Sequence, residues 1–298
     1  MFAHPLPLHL EHPMWVLLSI VTAVFFALSS GQAKALSRRS HDYVVTWAMM
    51  VLGVPLTGLV LAVQGMPEIE DGFYLAAMVS VLLNTVAVTL QVKALRLSPL
   101  SLTMPFLAFT PLFMLVTSSF ILGEFPTAKG FAGILLIVAG AYSINLDRLK
   151  DGGITAPIRA IGSEPGSRLM LAVAAIWSVA AAYDKVATVA SSPAFYTTFF
   201  GVVYGVIYLP LFLIGLRRSE SPKRAVPGLF LLGALSAGMI LAQMTAIEMT
   251  IASYVIAIKR SGMVLSVFLG YFFFKERHLR NRFAGAALMT LGVVLLSI

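Results

Sequence analysis

Two adjacent cations, Lys259 and Arg260, stand inside the apolar run from Ile251 to Glu276. A run of about 20 mostly apolar residues is long enough to cross a bilayer as a helix. Each charge near the centre of a span costs on the order of 2.5–3.5 kcal/mol on insertion scales. Charges at that depth belong to a partner, a water-filled cavity or a ligand. The chemistry on offer is charge-assisted hydrogen bonding to an anionic group. Helical spacing puts Ala252, Lys259, Gly262, Ser266 and Gly270 on one small, polar stripe, which suits a cavity wall or a close helix contact. Arg260 lies about 100° around the helix and calls for a carboxylate, a carbonyl or the same ligand as Lys259. The alternative is that both cations snorkel to one interface, since Lys259 is only about 10–12 Å from the helix start at 1.5 Å per residue.

Other polar residues recur inside apolar segments. Asn84, Val88 and Gln91 share one helical face, as do Ser236, Ile240 and Gln243. These amides either line a pathway or hold the bundle together through interhelical hydrogen bonds worth about 0.6 kcal/mol each. Trp177, Ala181, Asp184 and Thr188 form a third face. Asp184 can pair with its neighbour Lys185, counter a cavity cation or carry a coupling proton. Glu248 is the other carboxylate near the membrane interior and is equally open as a proton site. Glu124 and Glu276 each precede a helix and are expected to cap it or meet its positive end. Pro105 and Pro111 interrupt one apolar segment, which is tolerable only against protein or a cavity.

Those residues need a scaffold, and the composition names its class. Of 298 residues, 59% are hydrophobic and 11% charged, against about 25% charged in a soluble domain. The chain is an all-α polytopic membrane protein by this measure. Apolar segments run over 14–36, 43–64, 73–95, 99–122, 130–147, 168–190, 195–215, 227–248, 252–274 and 283–298, giving ten transmembrane helices. The first thirteen residues lack the basic region of a signal peptide, so the first span is expected to be retained. The net charge of +8 sits between the apolar segments and reads as topology signal, not as a nucleic-acid surface. Catalysis is not expected. The five histidines lie in tails or loops, there is no cysteine, and neither an H-E-x-x-H nor a G-x-S-x-G motif occurs. No cofactor or metal is called for.

A shift of 152 residues lays the second half on the first. Gln91 then meets Gln243, Ser101 meets Ser253, and Glu124 meets Glu276. Phe131-Ala132-Gly133 meets Phe283-Ala284-Gly285, and Gly140 meets Gly292. Near the start of each half the shift is 151, so Lys34 meets Lys185. The organisation is a first five-helix repeat over 1–147, a linker over 148–167, and a second repeat over 168–298. An odd number of spans per repeat inverts the second half, an architecture of transporters whose site lies at the midplane. Seventeen basic residues lie in the loops after odd-numbered spans, against Lys129 and Lys185 on the opposite side. The basic side is cytoplasmic by the positive-inside rule, so both termini are expected outside a cell membrane, in the periplasm.

Ten spans in two repeats, with Gly123-Glu124 before Phe131-Ala132-Gly133 and Glu276 before Phe283-Ala284-Gly285, resemble the EamA-type drug/metabolite transporter superfamily. The resemblance covers nearly the whole chain, although Lys275 replaces the glycine usual before the second glutamate. It implies transport of small organic metabolites without ATP hydrolysis, in agreement with the lack of a Walker motif. The Lys259-Arg260 pair in the ninth helix is similar to that of the triose-phosphate and nucleotide-sugar translocators, which implies that both residues are anion ligands.

The leading reading is a secondary transporter, an exporter or exchanger, for a small anionic or zwitterionic metabolite. Its site would be lined by Lys259, Arg260, Gln91, Gln243, Asn84 and Ser266. The second reading is a flippase for a lipid-linked phosphate, and a third is a scaffold without transport. A closed cavity reaching Lys259 favours the first; a lateral opening wide enough for a lipid chain favours the second.

Overall fold

The computed structural model describes residues 14–98, 103–143, 164–219, 222–274 and 280–297. Within these segments the chain is helical apart from the short stretches that connect the helices. Helix α1 spans Met14–Leu36, α2 Asp42–Val51, α3 Val54–Gln64 and α4 Phe73–Leu97. A 3₁₀ turn over Met104–Ala108 leads into α5, Phe109–Leu122, and α6 covers Ala128–Ser143. The second half contains α7 Pro165–Val189, α8 Pro193–Arg217, α9 Pro222–Met249, α10 Ala252–Phe274 and α11 Arg280–Ser297. Helices α2 and α3 together make the second span, Asp42–Gln64. It breaks at Leu52-Gly53, where the Gly53 backbone lies against Gly233 and Ala237 of α9. The fourth span is interrupted as its prolines predict: Pro105 opens the 3₁₀ turn, and Pro111 lies in the first turn of α5.

Large apolar side chains such as Leu17, Leu59, Leu75, Val116, Val206 and Phe230 remain exposed. Single exposed residues are ordinary, but an apolar surface spread over so many helices needs lipid against it.

The packing repeats with the sequence. Helix α1 packs on α9 and α10 of the other half, and its counterpart α7 packs on α4 and α5. Helices α2 and α3 pack on their counterpart α8, and α6 on its counterpart α11. The last pair shows the inversion directly. A Cβ added at Gly133 would lie 3.0 Å from the Gly292 carbonyl oxygen, and one at Gly140 would lie 2.6 Å from that of Gly285. Gly133 and Gly285 are repeat equivalents, as are Gly140 and Gly292. Each glycine therefore meets the equivalent of the other, the reciprocity of a two-fold contact. As α6 ascends from 133 to 140, α11 descends from 292 to 285. The repeats are inverted, and small residues let these two helices close.

A polar brace also recurs. Lys34 Nζ donates to the Ser98 carbonyl at 3.2 Å, and Lys185 Nζ donates to the Thr250 carbonyl at 2.6 Å. Ser98 and Thr250 are repeat equivalents that follow α4 and α9. Lys185 also forms an ion pair with Glu124, whose other oxygen accepts from the Ala252 backbone N–H at 3.1 Å. Gly123 closes α5 in a left-handed conformation, φ 67°, and its lack of a Cβ permits this turn. Glu124 does cap a helix, but the helix is α10 of the opposite half and not the α6 that follows it. Residues 275–279, including Glu276, lie outside the described residues.

Candidate functional site

A buried cavity lies where the halves meet. Helix α10 supplies Ile256, Lys259 and Arg260; α4 supplies Asn84, Val88 and Gln91; α9 supplies Met239, Ile240, Gln243 and Met244. Helix α7 adds Trp177, Ala181 and Asp184, α1 adds Phe26, and α8 adds Tyr196 and Phe200. The free space is about 60 Å³, room for a few waters and well below the roughly 300–1,000 Å³ of ordinary ligand sites. A larger solute therefore requires the walls to move.

The cations do not snorkel. Lys259 is 6% exposed and Arg260 1%. Lys259 Nζ donates to Gln243 Oε1 at 2.5 Å. Phe26 and Trp177 hold both cations against their rings: Lys259 Nζ is 5.0 and 5.7 Å from the two centroids, and the Arg260 guanidinium 5.4 and 5.3 Å. Cation–π attraction lowers the cost of burial there. Arg260 Nη2 donates to Thr110 Oγ1 at 3.1 Å, on the helix that starts after the 3₁₀ turn. Among the described residues Arg260 Nε and Nη1 meet no acceptor, so no described carboxylate or carbonyl satisfies it. On the remaining stripe, Gly262 packs on α1, where a Cβ would lie 2.2 Å from the Ala23 carbonyl oxygen. Ser266 lies further along α10, and its side chain is outside the described residues.

The two repeat-equivalent amides differ. Gln243 is taken by Lys259, whereas Gln91, fully buried, has neither its Nε2 nor its Oε1 bonded. Asn84 is held in place: its Oδ1 accepts from Trp177 Nε1 at 3.0 Å, and its Nδ2 donates to the Ser80 carbonyl at 3.1 Å.

Asp184 faces the cavity and accepts from Ser80 Oγ and from the Tyr196 hydroxyl, the latter at 2.6 Å. Of the three roles open to Asp184, the pair with Lys185 does not form. Consecutive helix residues point about 100° apart, and Lys185 turns to Glu124 instead. Glu248 is exposed on α9 and does not line the cavity. No ion pair joins Asp184 to Lys259 or Arg260. By formal charge, the two cations and one carboxylate that line this cavity leave an excess of one positive charge. Ser80, Tyr196, Phe26 and Thr110 were not singled out from sequence. A signal existed for Tyr196, since aromatics recur every fourth residue along α8 at 196, 200, 204 and 208.

The model of the EamA-like transporter family matches residues 13–146 and again 165–298. The chain belongs to the EamA-like transporter family. The two matched EamA units coincide with the two inverted repeats and leave the middle of the chain between them. A crystal structure of a protein aligns over 94% of each chain with a TM-score of 0.69 at 15% identity, a likeness that speaks for the fold alone. No curated protein matches in sequence. Membership of the EamA family makes the chain a multi-pass membrane transporter of small molecules.

Proposed function

We propose that the protein is a secondary transporter of a small anionic or zwitterionic solute across the cell membrane, with both termini on the outer face. The observation that carries this reading is the unbalanced positive charge of the cavity, together with the unpartnered N–H groups of Arg260 and the unpartnered Gln91 amide. A buried donor without an acceptor costs about 1–3 kcal/mol, more when charged, and an anionic group on the solute would remove that cost. Lys259 and Arg260 are the proposed anion ligands, with Gln91, Gln243 and Asn84 as polar contacts. Asp184 is available to a cationic group on a zwitterion or to a coupling proton.

A thermal-stability screen of purified protein tests this. The panel is inorganic phosphate and phosphorylated metabolites, zwitterionic amino acids, and neutral drugs. A ligand at 100 times its Kd stabilises by about 2.7 kcal/mol. Stabilisation confined to charged members is the expected result; stabilisation by neutral compounds alone contradicts the proposal.

A further inference from the structure

The corner where the α1–α2 turn meets the end of α8 gathers positive charge. The His41 backbone N–H donates to Ser219 Oγ at 3.0 Å across 178 residues of chain, and a Cβ added at Gly215 would lie 2.8 Å from that of Tyr43. This brings Arg38 and Arg39 of the turn to the same corner as Arg217 and Arg218, and all four are exposed. With Lys223 and Arg224, the two segments 37–42 and 217–224 carry six cations against Asp42 and Glu220. Asp42 already pairs with Arg96 of α4 at 3.4 Å. The positive-inside rule accounts for the sign of such loops, but cations anywhere in them would satisfy it. It does not account for bringing like charges together, which is unfavourable without an anion between them. The inverted repeat provides a comparison. Its equivalent corner joins the α7–α8 turn to the loop after α3, where the Glu70 backbone N–H donates to the Ala190 carbonyl at 2.9 Å. Residues 188–193 and 65–72 contain three carboxylates and neither Lys nor Arg. The contact itself therefore needs no arginine.

The α8 surface leading to this corner is apolar and uncovered. Of the six long apolar spans among the described residues, α8 is the least buried. Its glycines face the bundle: Cβ atoms at Gly201, Gly205 and Gly215 would meet Val54, Val51 and Tyr43 of α3 and α2. On another side Val202, Val206, Leu209, Leu213 and Leu216 are exposed, and they form one stripe at steps of four and three. The stripe runs about 21 Å at 1.5 Å per residue, more than the roughly 15 Å depth of one leaflet, and it ends beside Arg217. Its cover is either lipid or a second copy of the chain. Two observations disfavour the second copy. Helices that pair in a membrane use small residues for close approach, and the stripe has none. A two-fold partner along α8 would also set Arg217 and Arg218 against their own equivalents. An anionic phospholipid fits both parts: its phosphate suits the arginines, whose planar forks match the oxygens, and an acyl chain suits the stripe.

We propose that this corner is a binding site for an anionic phospholipid, held by its head group at Arg38, Arg39, Arg217 and Arg218 and by an acyl chain along α8. The site is separate from the central cavity, and its test needs no transported solute. Detergent-purified protein is titrated with phosphatidylglycerol and with phosphatidylcholine of the same chains, and native mass spectrometry counts the bound lipids. The first phosphatidylglycerol should bind about tenfold or more tighter than phosphatidylcholine, and Arg39→Gln combined with Arg217→Gln should remove that preference. Both residues are exposed, so the fold should tolerate the change. Arg159→Gln combined with Arg168→Gln removes two charges at and before the start of α7 and should keep the preference. Equal affinity for the two lipids in the parent, a preference that survives Arg39→Gln with Arg217→Gln, or equal loss in both variants overturns the proposal. So does displacement of bound phosphatidylglycerol by millimolar inorganic phosphate, the behaviour of a site for a free anion. The sequence has no cysteine, so a Leu209→Cys disulfide between copies in vesicles would place a second chain on the stripe and overturn it as well.

Discussion

Removing the Glu124 carboxylate should destabilise the protein far more than its position between helices implies. Lys185 is buried, its side chain 2% exposed, and Glu124 is 10% exposed. Glu124→Gln keeps the shape but leaves a buried ammonium with only the Thr250 carbonyl as partner. Breaking a buried pair from one side costs about 3–5 kcal/mol, and weakening the bond to the α10 N-terminus adds about 0.5–1 kcal/mol. At about 2–4 °C per kcal/mol, the melting temperature in detergent should fall by roughly 7–24 °C. The decisive assay is the double-mutant cycle with Lys185→Met. If the loss comes from the stranded charge, Glu124→Gln combined with Lys185→Met recovers much of it, because no unpaired buried charge remains. Additive losses, or a Glu124→Gln loss below about 1 kcal/mol, would refute the argument that this contact clamps α5, α7 and α10 together.

Other expectations concern the site and its frame. Asp184→Asn should abolish the dependence of solute uptake on a proton gradient while sparing binding of a purely anionic solute, and Glu248→Gln should not; unchanged gradient-driven uptake in Asp184→Asn vesicles removes Asp184 from coupling. Gly140→Val should cost several kcal/mol, because its side chain would strike the α11 backbone; a melting temperature within a degree of the parent would deny the close α6–α11 contact. A reporter active only in the cytoplasm, fused after Ile298, should be silent; an active one in a protein that still transports would reverse the proposed topology.

Much of the fold was legible because bilayer physics simplifies it. Span length and apolarity located the helices, and repeated residues such as Gly133 and Gly285 revealed the two halves. The reciprocal contact between these glycines and their equivalents could not be read, since a shift match shows equivalence and not which residues touch. The cations were legible because insertion makes them costly. Their surroundings were not: Phe26 on α1 and Thr110 on α5 come from distant parts of the chain, and neither is unusual in a span. Local reading did not resolve the partners of Asp184, Lys185 and Glu124. Sequence neighbours invited a pair and a cap on the next helix, whereas helical geometry sends each group to the other half.

The central claim is that Lys259 and Arg260 are held in the membrane for a ligand. Its most direct test is binding by purified Lys259→Ala protein beside its thermal stability. Removing an expensive buried charge should leave the protein folded and equally or more stable. Binding of the anionic or zwitterionic solute that stabilises the parent should weaken by about tenfold or more, the loss of one charge-assisted hydrogen bond at about 1.5–3 kcal/mol. A folded Lys259→Ala protein that binds every such solute as tightly as the parent would contradict the account.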